Sequence, residues 1–271
     1  MKNWSDMRVS VITINRNNAE GFRRTAMSVS RQQMREHEIE WIVVDGSDVS
    51  AEARLAGSGH GTRKPDILIL GQASGIYSAM NYGAAACTGD YLIFLNSGDC
   101  FSSEGALSCL VKGLVTGERE WAYGAIRKLD ADWNASSAFL AAPFSRKKLL
   151  LGLQNVPHCA TLMSSHMWHE LGGFDESIGL AADHDFFVRA AGRHDPEIVF
   201  EFITDLQFGG ASSRRSIFGV VRDYGRIRKS NEMYATSRLV DNVVSGYLLG
   251  RWGFSRALAR RRDLVPAGRA K

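Results

Sequence analysis

Cysteine is scarce in this chain. Only Cys87, Cys100, Cys109 and Cys159 occur in 271 residues, with no C-x-x-C pair. Neither a disulfide framework nor a zinc site is therefore expected, and the usage fits a reducing cytoplasm. Long apolar runs are missing as well: stretches such as 149–151 and 91–95 fall far short of the roughly 18 residues needed to span a bilayer. Residues 1–8 (MKNWSDMR) hold no apolar segment with a small-residue cleavage site, so no secretory signal is expected. Two phosphate-binding loops are also absent. No G-x-G-x-x-G follows the first apolar segment and no G-x-x-x-x-G-K-[ST] occurs anywhere, which leaves a dinucleotide or P-loop site without support. What is present, 45% hydrophobic, 10% aromatic and 23% charged residues, describes an ordinary globular protein. That apolar content offsets chain entropy and excludes whole-chain disorder.

The formal net charge of +4 hides an asymmetry. From Gly210 onward there are 14 Lys and Arg against 4 Asp and Glu, a formal +10, which leaves the first 209 residues at −6. The basic end also interleaves arginine with Ile217, Phe218, Val220, Val221, Tyr224, Ile227, Leu248, Leu249, Trp252, Phe254 and Leu258. At helical spacing this gives one basic and one apolar face. Such a helix suits an anionic membrane interface, and it equally suits a helical subdomain packed on the core with its arginines in solvent. No recognisable binding motif accompanies the charge, so nucleic acid is not an expected partner.

Along the chain, residues 9–14 (VSVITI) read as a strand buried on both faces. A polar loop (15–18) and a helix over 19–33 follow, then a strand over 39–44 (IEWIVV), a Gly-rich loop over 57–64 and a strand over 66–70. A helix is expected over 75–88, a strand over 91–95 (YLIFL) and a helix over 103–115. This cadence argues for an α/β domain with a mostly parallel sheet. Beyond residue 120 the rhythm becomes irregular, with strands expected over 121–128 and 156–164 and a helix over 183–191. The expected boundaries are a nucleotide-type half to about residue 118, an acceptor-type half to 209, and a basic helical tail over 210–271.

Open α/β sheets bind ligands beyond the carboxyl ends of their strands. Polar clusters sit at three such ends: Thr13 to Asn17, Asp45-Gly46-Ser47 and Asn96-Ser97-Gly98-Asp99. Without a Gly-rich phosphate loop, bound phosphate would need a cation, and a carboxylate such as Asp99 suits Mg²⁺ or Mn²⁺ shared with substrate phosphates. An aspartate after a strand serves as well as a turn or cap residue.

The blocks VSVITINRNN, WIVVDGS, SGIYSAMNYGAAACTGDYLIFLNSGDCF and HCATLMSSHMWHELGGFDESIGLAADHDFFVRAA resemble the family 2 glycosyltransferases of the GT-A fold, a Rossmann-like α/β architecture. They look closest to the bacterial branch that builds exopolysaccharides and other surface glycans. The resemblance runs from about residue 9 to 213, with the blocks in family order. It implies that Thr13, Asn15 and Asp45 hold the base and ribose of a nucleotide-sugar. Gly75 and Asn81 match the helix that covers the donor, Asn96 opens the metal motif, and Asp99 matches its metal-binding carboxylate. Asp183, six residues before Arg189, stands where the family places its catalytic base. That base takes the acceptor hydroxyl's proton during inverting transfer. Asp185 lies some 200° around the helix from Asp183, so the two do not face the sugar equally. His158 matches a position often occupied by His, which implies contact with the diphosphate or acceptor; a structural histidine fits the same pattern. Gly172-Gly173-Phe174-Asp175 matches a turn beneath the acceptor site, and Gly209-Gly210 with Ser212-Ser213 a loop that closes over the donor.

Departures from the family pattern are Ala73, Ser78 and Gly98, each where an acidic residue is common, and the absence of a Gln-x-x-Arg-Trp motif. The last speaks against a processive enzyme. The implied activity is inverting transfer of a single sugar from a nucleotide-sugar to a glycan or lipid-linked saccharide. It would run with Mn²⁺ or Mg²⁺ in the cytoplasm, peripheral to the inner face of the membrane. The alternative is a GT-A domain that has lost catalysis and binds glycan or a partner enzyme.

Overall fold

The computed structural model describes residues 7–34, 37–48, 62–71, 73–130, 132–207, 216–231 and 241–252. Most of 57–64, all of 208–215 with Gly209, Gly210, Ser212 and Ser213, and the end of the chain with Phe254 and Leu258 lie outside these residues.

The opening segment alternates strand and helix as its apolar runs dictate. Strand β1 (Arg8–Asn15), helix α1 (Ala19–Ser30), β2 (Glu38–Asp45), β3 (Ile67–Leu70), α2 (Ile76–Ala85) and β4 (Tyr91–Phe94) follow one another. Next come the two-residue β5 (Cys100–Phe101), α3 (Ala106–Gly117), β6 (Trp121–Leu129), β7 (Ala135–Phe139) and the short α4 (Arg146–Leu150). A 3₁₀ turn over His158–Ala160 leads into β8 (Thr161–Ser164) and α5 (Ser165–Glu170), and a second 3₁₀ turn spans Glu176–Ile178. The chain continues through α6 (Ala182–Arg193), β9 (Glu197–Gln207), α7 (Ile217–Ser230) and α8, residues 241–252.

Among the described residues the strands form one nine-stranded sheet of order β3-β2-β1-β4-β8-β6-β9-β5, with β7 on the edge of β6. β1 to β4 are mutually parallel, which their nearly continuous apolar sequences require, since both faces are covered. β8 runs antiparallel to β4 with Leu92 opposite Met163, so β8 begins at the carboxyl end of β4. Two apolar layers cover the sheet. One holds Phe22, Trp41, Leu107 and Leu110 between sheet, α1 and α3. The other holds Phe94, Trp168, Phe174 and Phe186 under α2, α5 and α6.

Three differences from the sequence-based expectation stand out. The strand expected over 156–164 exists only over Thr161–Ser164. Its first part closes into a 3₁₀ turn through Ala160 N–H donating to the Pro157 carbonyl (3.0 Å) and Thr161 Oγ1 to the same oxygen (2.7 Å). β9 was not expected, because acidic residues break its apolar pattern; a three-residue bulge opposite Gly124 lifts Phe200 out to 75% exposure. The tail is not separate from the body: Val221, Tyr224 and Ile227 of α7 and Leu248 of α8 are buried in the same cluster as Phe186 and Trp168. Of the two readings of its amphipathic pattern, packing on the core accounts for the apolar face. No helix of the described residues is long and apolar enough to cross a membrane.

Candidate active site

Because β1, β2 and β4 are adjacent and parallel, their carboxyl ends share one edge. Asn15 lies opposite Asp45 in the β1–β2 register, and Ser97 N–H donates to the Ile14 carbonyl at 3.0 Å just past β4. Asp45, 2% exposed, accepts at Oδ1 from Asn15 Nδ2 (3.1 Å), Ser47 N–H (3.0 Å) and Ser47 Oγ (2.6 Å). Asp45 Oδ2, Asn15 Oδ1 and Asn96 Oδ1 are buried with no hydrogen-bond partner. Leaving a buried acceptor unpaired costs about 1–3 kcal/mol, so three along one edge leave this end of the sheet short of hydrogen-bond donors.

Asn96 to Asp99 form a tight loop after β4. Thr25 of α1 organises it, its hydroxyl accepting from Gly98 N–H (3.0 Å) and donating to the Asp99 carbonyl (2.7 Å). Gly98 has φ +102°, a conformation that an acidic residue at this position would adopt only with strain. This accounts for the glycine where a carboxylate is common. Burial pushes the Asp99 carboxyl up to about 6, against the smaller opposing pull of His158.

The second half of the site arrives on β8 and α6. Since β8 starts at the carboxyl end of β4, the 3₁₀ turn before it delivers His158 beside Asn96, with His158 Nε2 3.3 Å from Asn96 Nδ2. His158 Nδ1 lies 3.1 Å from Asp183 Oδ2, and Asp183 Oδ1 accepts from His184 N–H at 2.8 Å. With Nδ1–H donating to Asp183, Nε2 is free to accept from the Asn96 amide. Burial raises the Asp183 carboxyl, but the hydrogen bond and charge of His158, a hydrogen bond from Tyr77 and the His184 N–H outweigh it and hold it below the usual carboxylate range. Asp183 also stands in the first turn of α6, where the helix dipole favours negative charge. Burial works to lower His158, yet its bond to Asp183, that carboxylate's charge and the charge of Asp99 leave it above its ordinary value. Histidine thus links the two halves, from Asn96 and Asp99 on one side to Asp183 on the other.

Asn15, Asp45, Asn96, Asp99, His158 and Asp183 therefore gather along one edge. Three other candidates are placed differently. Thr13 is fully buried and its hydroxyl accepts from the Trp41 indole N–H at 3.1 Å, which commits it to the core between sheet and α1. Asn81 points to the turn below α6: its Nδ2 donates to the Phe174 carbonyl (2.9 Å) and Glu176 Oε1 (3.1 Å), and its Oδ1 accepts from Phe174 N–H (3.1 Å). Gly75 caps α2 in an extended conformation with open space where a side chain would stand, so only its backbone is offered to the cleft. Asp185 is 4% exposed and bound to Arg189 (2.8 Å) and to Asn231 Nδ2 (3.0 Å), a structural pairing that leaves Asp183 as the available carboxylate. Tyr77, the partner of Asp183 on α2, was missed. It sits in the Ile-Tyr pair of a block already singled out, but nothing in the sequence joins positions 77 and 183.

Residues 10–165 match the family model described as glycosyl transferase family 2. The uncharacterized glycosyltransferase Rv1514c of Mycobacterium tuberculosis is 35% identical over 233 residues, covering 82% of this chain and 84% of that protein. Among solved structures, residues 1–349 of Staphylococcus aureus TarS superpose with a TM-score of 0.67 at 12% identity, over 93% of this chain and 73% of that one. The mannosyltransferase PcManGT from Pyrobaculum calidifontis, solved with GDP-Man and Mn²⁺, gives 0.59 at 15% identity, over 97% of this chain and 76% of that one. With its mixed α/β sheet, flanking helices and the edge just described, this chain belongs to glycosyl transferase family 2 and is a glycosyltransferase of the GT-A fold.

Proposed function

We propose that the protein moves a single sugar, with inversion, from a nucleoside-diphosphate sugar to a hydroxyl of a glycan or lipid-linked saccharide in surface-polysaccharide synthesis. The observation that carries the donor half is the row of unpaired buried acceptors, Asn15 Oδ1, Asp45 Oδ2 and Asn96 Oδ1, on the edge formed by β1, β2 and β4. Base N–H and ribose hydroxyl groups are the donors such a row lacks. The complexes of TarS with UDP-GlcNAc and of PcManGT with GDP-Man add support from the same fold.

The acceptor half rests on Asp183. It remains ionised at neutral pH because His158 and the start of α6 favour its charged form, and it takes the proton as the acceptor oxygen attacks the anomeric carbon. His158 Nδ1–H fixes the orientation of that carboxylate, and the Asn96 amide in turn fixes the imidazole. Asp99 is the residue that would hold a divalent cation. Burial holds its carboxyl up, and the charge of His158 pulls against that without outweighing it. Among the described residues no three His, Cys, Asp or Glu side chains gather as a metal cage. A single carboxylate completed by substrate phosphates and water is a normal Mg²⁺ arrangement, and the ion supplies charge neutralisation for the leaving diphosphate.

The test is nucleoside-diphosphate release from a panel of nucleotide-sugars in Mn²⁺ or Mg²⁺, with Asp183→Asn alongside. The expected result is turnover of one donor, with kcat lowered about 10²–10⁴-fold in the variant and donor affinity by thermal shift unchanged. Equal turnover in the variant would remove Asp183 as the base.

A further inference from the structure

The two C-terminal helices have faces of different chemistry. Inward, α7 buries Val221, Tyr224 and Ile227, and α8 buries Leu248. Outward, Phe218 is 75% exposed, and Arg222, Arg226 and Lys229 continue the same side of α7 at intervals of four, four and three residues. On α8, Val243 and Tyr247, 64% and 58% exposed, and Arg251 recur every four residues. The carboxylates of these helices offset only part of that charge: the buried Asp223 lies 3.7 Å from Arg222 and 3.8 Å from Arg226, and Asp241 pairs with the buried Arg228 at 2.6 Å, which leaves the outer side net positive. A groove of about 420 Å³ runs between the helices, with Phe218, Arg222, Arg226, Lys229, Ser245 and Leu249 in its walls.

Core packing explains the inner face and leaves the outer one unexplained. Large apolar side chains raised among four cations gain nothing in bulk water. At an anionic lipid surface the cations meet headgroup phosphates, while phenylalanine, tyrosine and valine enter the boundary between headgroup and acyl chain. A second copy of this chain would set one basic stripe against another, which like-charge repulsion opposes. We propose that the outer face of α7 and α8 is a docking surface for an anionic phospholipid bilayer.

The inner face ties this surface to the catalytic edge. Tyr224 of α7 stacks on His184 with ring centroids 4.2 Å apart and planes 13° from parallel, and Asn231, just past α7, bonds Asp185 at 3.0 Å. His184 and Asp185 are the next residues after Asp183, so the helix that meets the bilayer also braces the start of the base's helix. One helix diameter, about 10 Å, separates the docking face from that contact. A lipid-linked saccharide is the acceptor this geometry suits, and here the inference deepens the acceptor half of the function proposed above and rests on it; the docking itself does not.

Sedimentation of the full chain with vesicles tests it. The protein is expected to bind phosphatidylcholine vesicles containing phosphatidylglycerol and to leave pure phosphatidylcholine vesicles unbound. The triple variant Arg222→Glu/Arg226→Glu/Lys229→Glu should partition at least about a hundredfold more weakly, while it still melts in one cooperative transition and keeps its donor turnover in solution. Phe218→Ala with Tyr247→Ala should weaken binding without abolishing the preference for anionic lipid. Equal binding to both vesicle types, no binding to either, or full binding by the triple variant would overturn the proposal. So would a wild-type dimer that the triple variant loses, since the stripe would then serve a second copy. Vesicle binding in a protein that turns over no donor would uphold the docking surface and count against the donor reading alone.

Discussion

His184 is fully enclosed against Tyr224, and burial pushes its imidazole down from 6.5 to about 4. Below pH 6.5 the unfolded chain takes up a proton there that the folded chain refuses, so stability is intact above that pH and falls through the window from 6.5 to about 4. A gap of this size corresponds to on the order of 3 kcal/mol across the window. Asp99 acts in the opposite sense. Its raised carboxyl binds a proton earlier in the folded state and gains stability as pH falls through about 6. The two effects separate in a comparison of His184→Phe with wild type, each referred to its own melting temperature at pH 7. The expected outcome is a shallower decline between pH 6.5 and 4.5 in the variant, since phenylalanine keeps the stacked ring and removes the titrating one. Parallel declines would show that His184 is not the group responsible.

At the scale of elements, the question is what α2 is for. Its sequence block suggested a helix that covers the donor, yet Asn81 spends all of its amide on Phe174 and Glu176. The turn it holds needs holding. Gly173 has φ +69°, and a Cβ there would come within 2.9 Å of the Trp168 ring, so the backbone has little freedom to move and Arg189 Nη2 pins the Gly173 carbonyl at 2.8 Å. Asn81→Ala is therefore expected to lower stability by about 1–3 kcal/mol and to leave the donor KM unchanged. A raised KM at constant melting temperature would return Asn81 to the donor site. The parallel half of the fold was readable because VSVITI, IEWIVV and YLIFL are apolar enough to require burial on both faces, and their polar ends mark the binding edge. β9 was not, since its pairing is interrupted by a bulge and its exposed face carries Phe200. Thr13 and Asn81 could not be placed correctly either. A strand's alternation fixes which side a residue takes, but only tertiary packing shows that Trp41 or Phe174 already occupies its polar group.

At the scale of the whole molecule, the charge step at residue 210 suggested a basic helical tail set apart from the body. The packing says otherwise. Val221, Tyr224, Ile227 and Leu248 lie in the cluster that holds the acceptor half together, and Tyr224 fills space so closely that a side chain at Gly152 would stand 2.1 Å from its ring. Each such side chain gains about 1.5–3 kcal/mol by burial, and four of them approach the net stability of an entire domain. A stop codon after Ser213 would thus uncover the back of His184 and the start of α6 rather than trim a soluble domain. The truncated chain is expected to bind a dye for exposed apolar surface and to lose its cooperative thermal transition. Both are readable by fluorescence and calorimetry without any assay of activity. A truncated chain that melts cooperatively at the wild-type temperature would show that α7 and α8 merely lie on the core. Short of that, loss of membrane association on truncation cannot be told from loss of fold, which is why charge reversal on the outer stripe, leaving every buried apolar contact in place, is the sharper instrument.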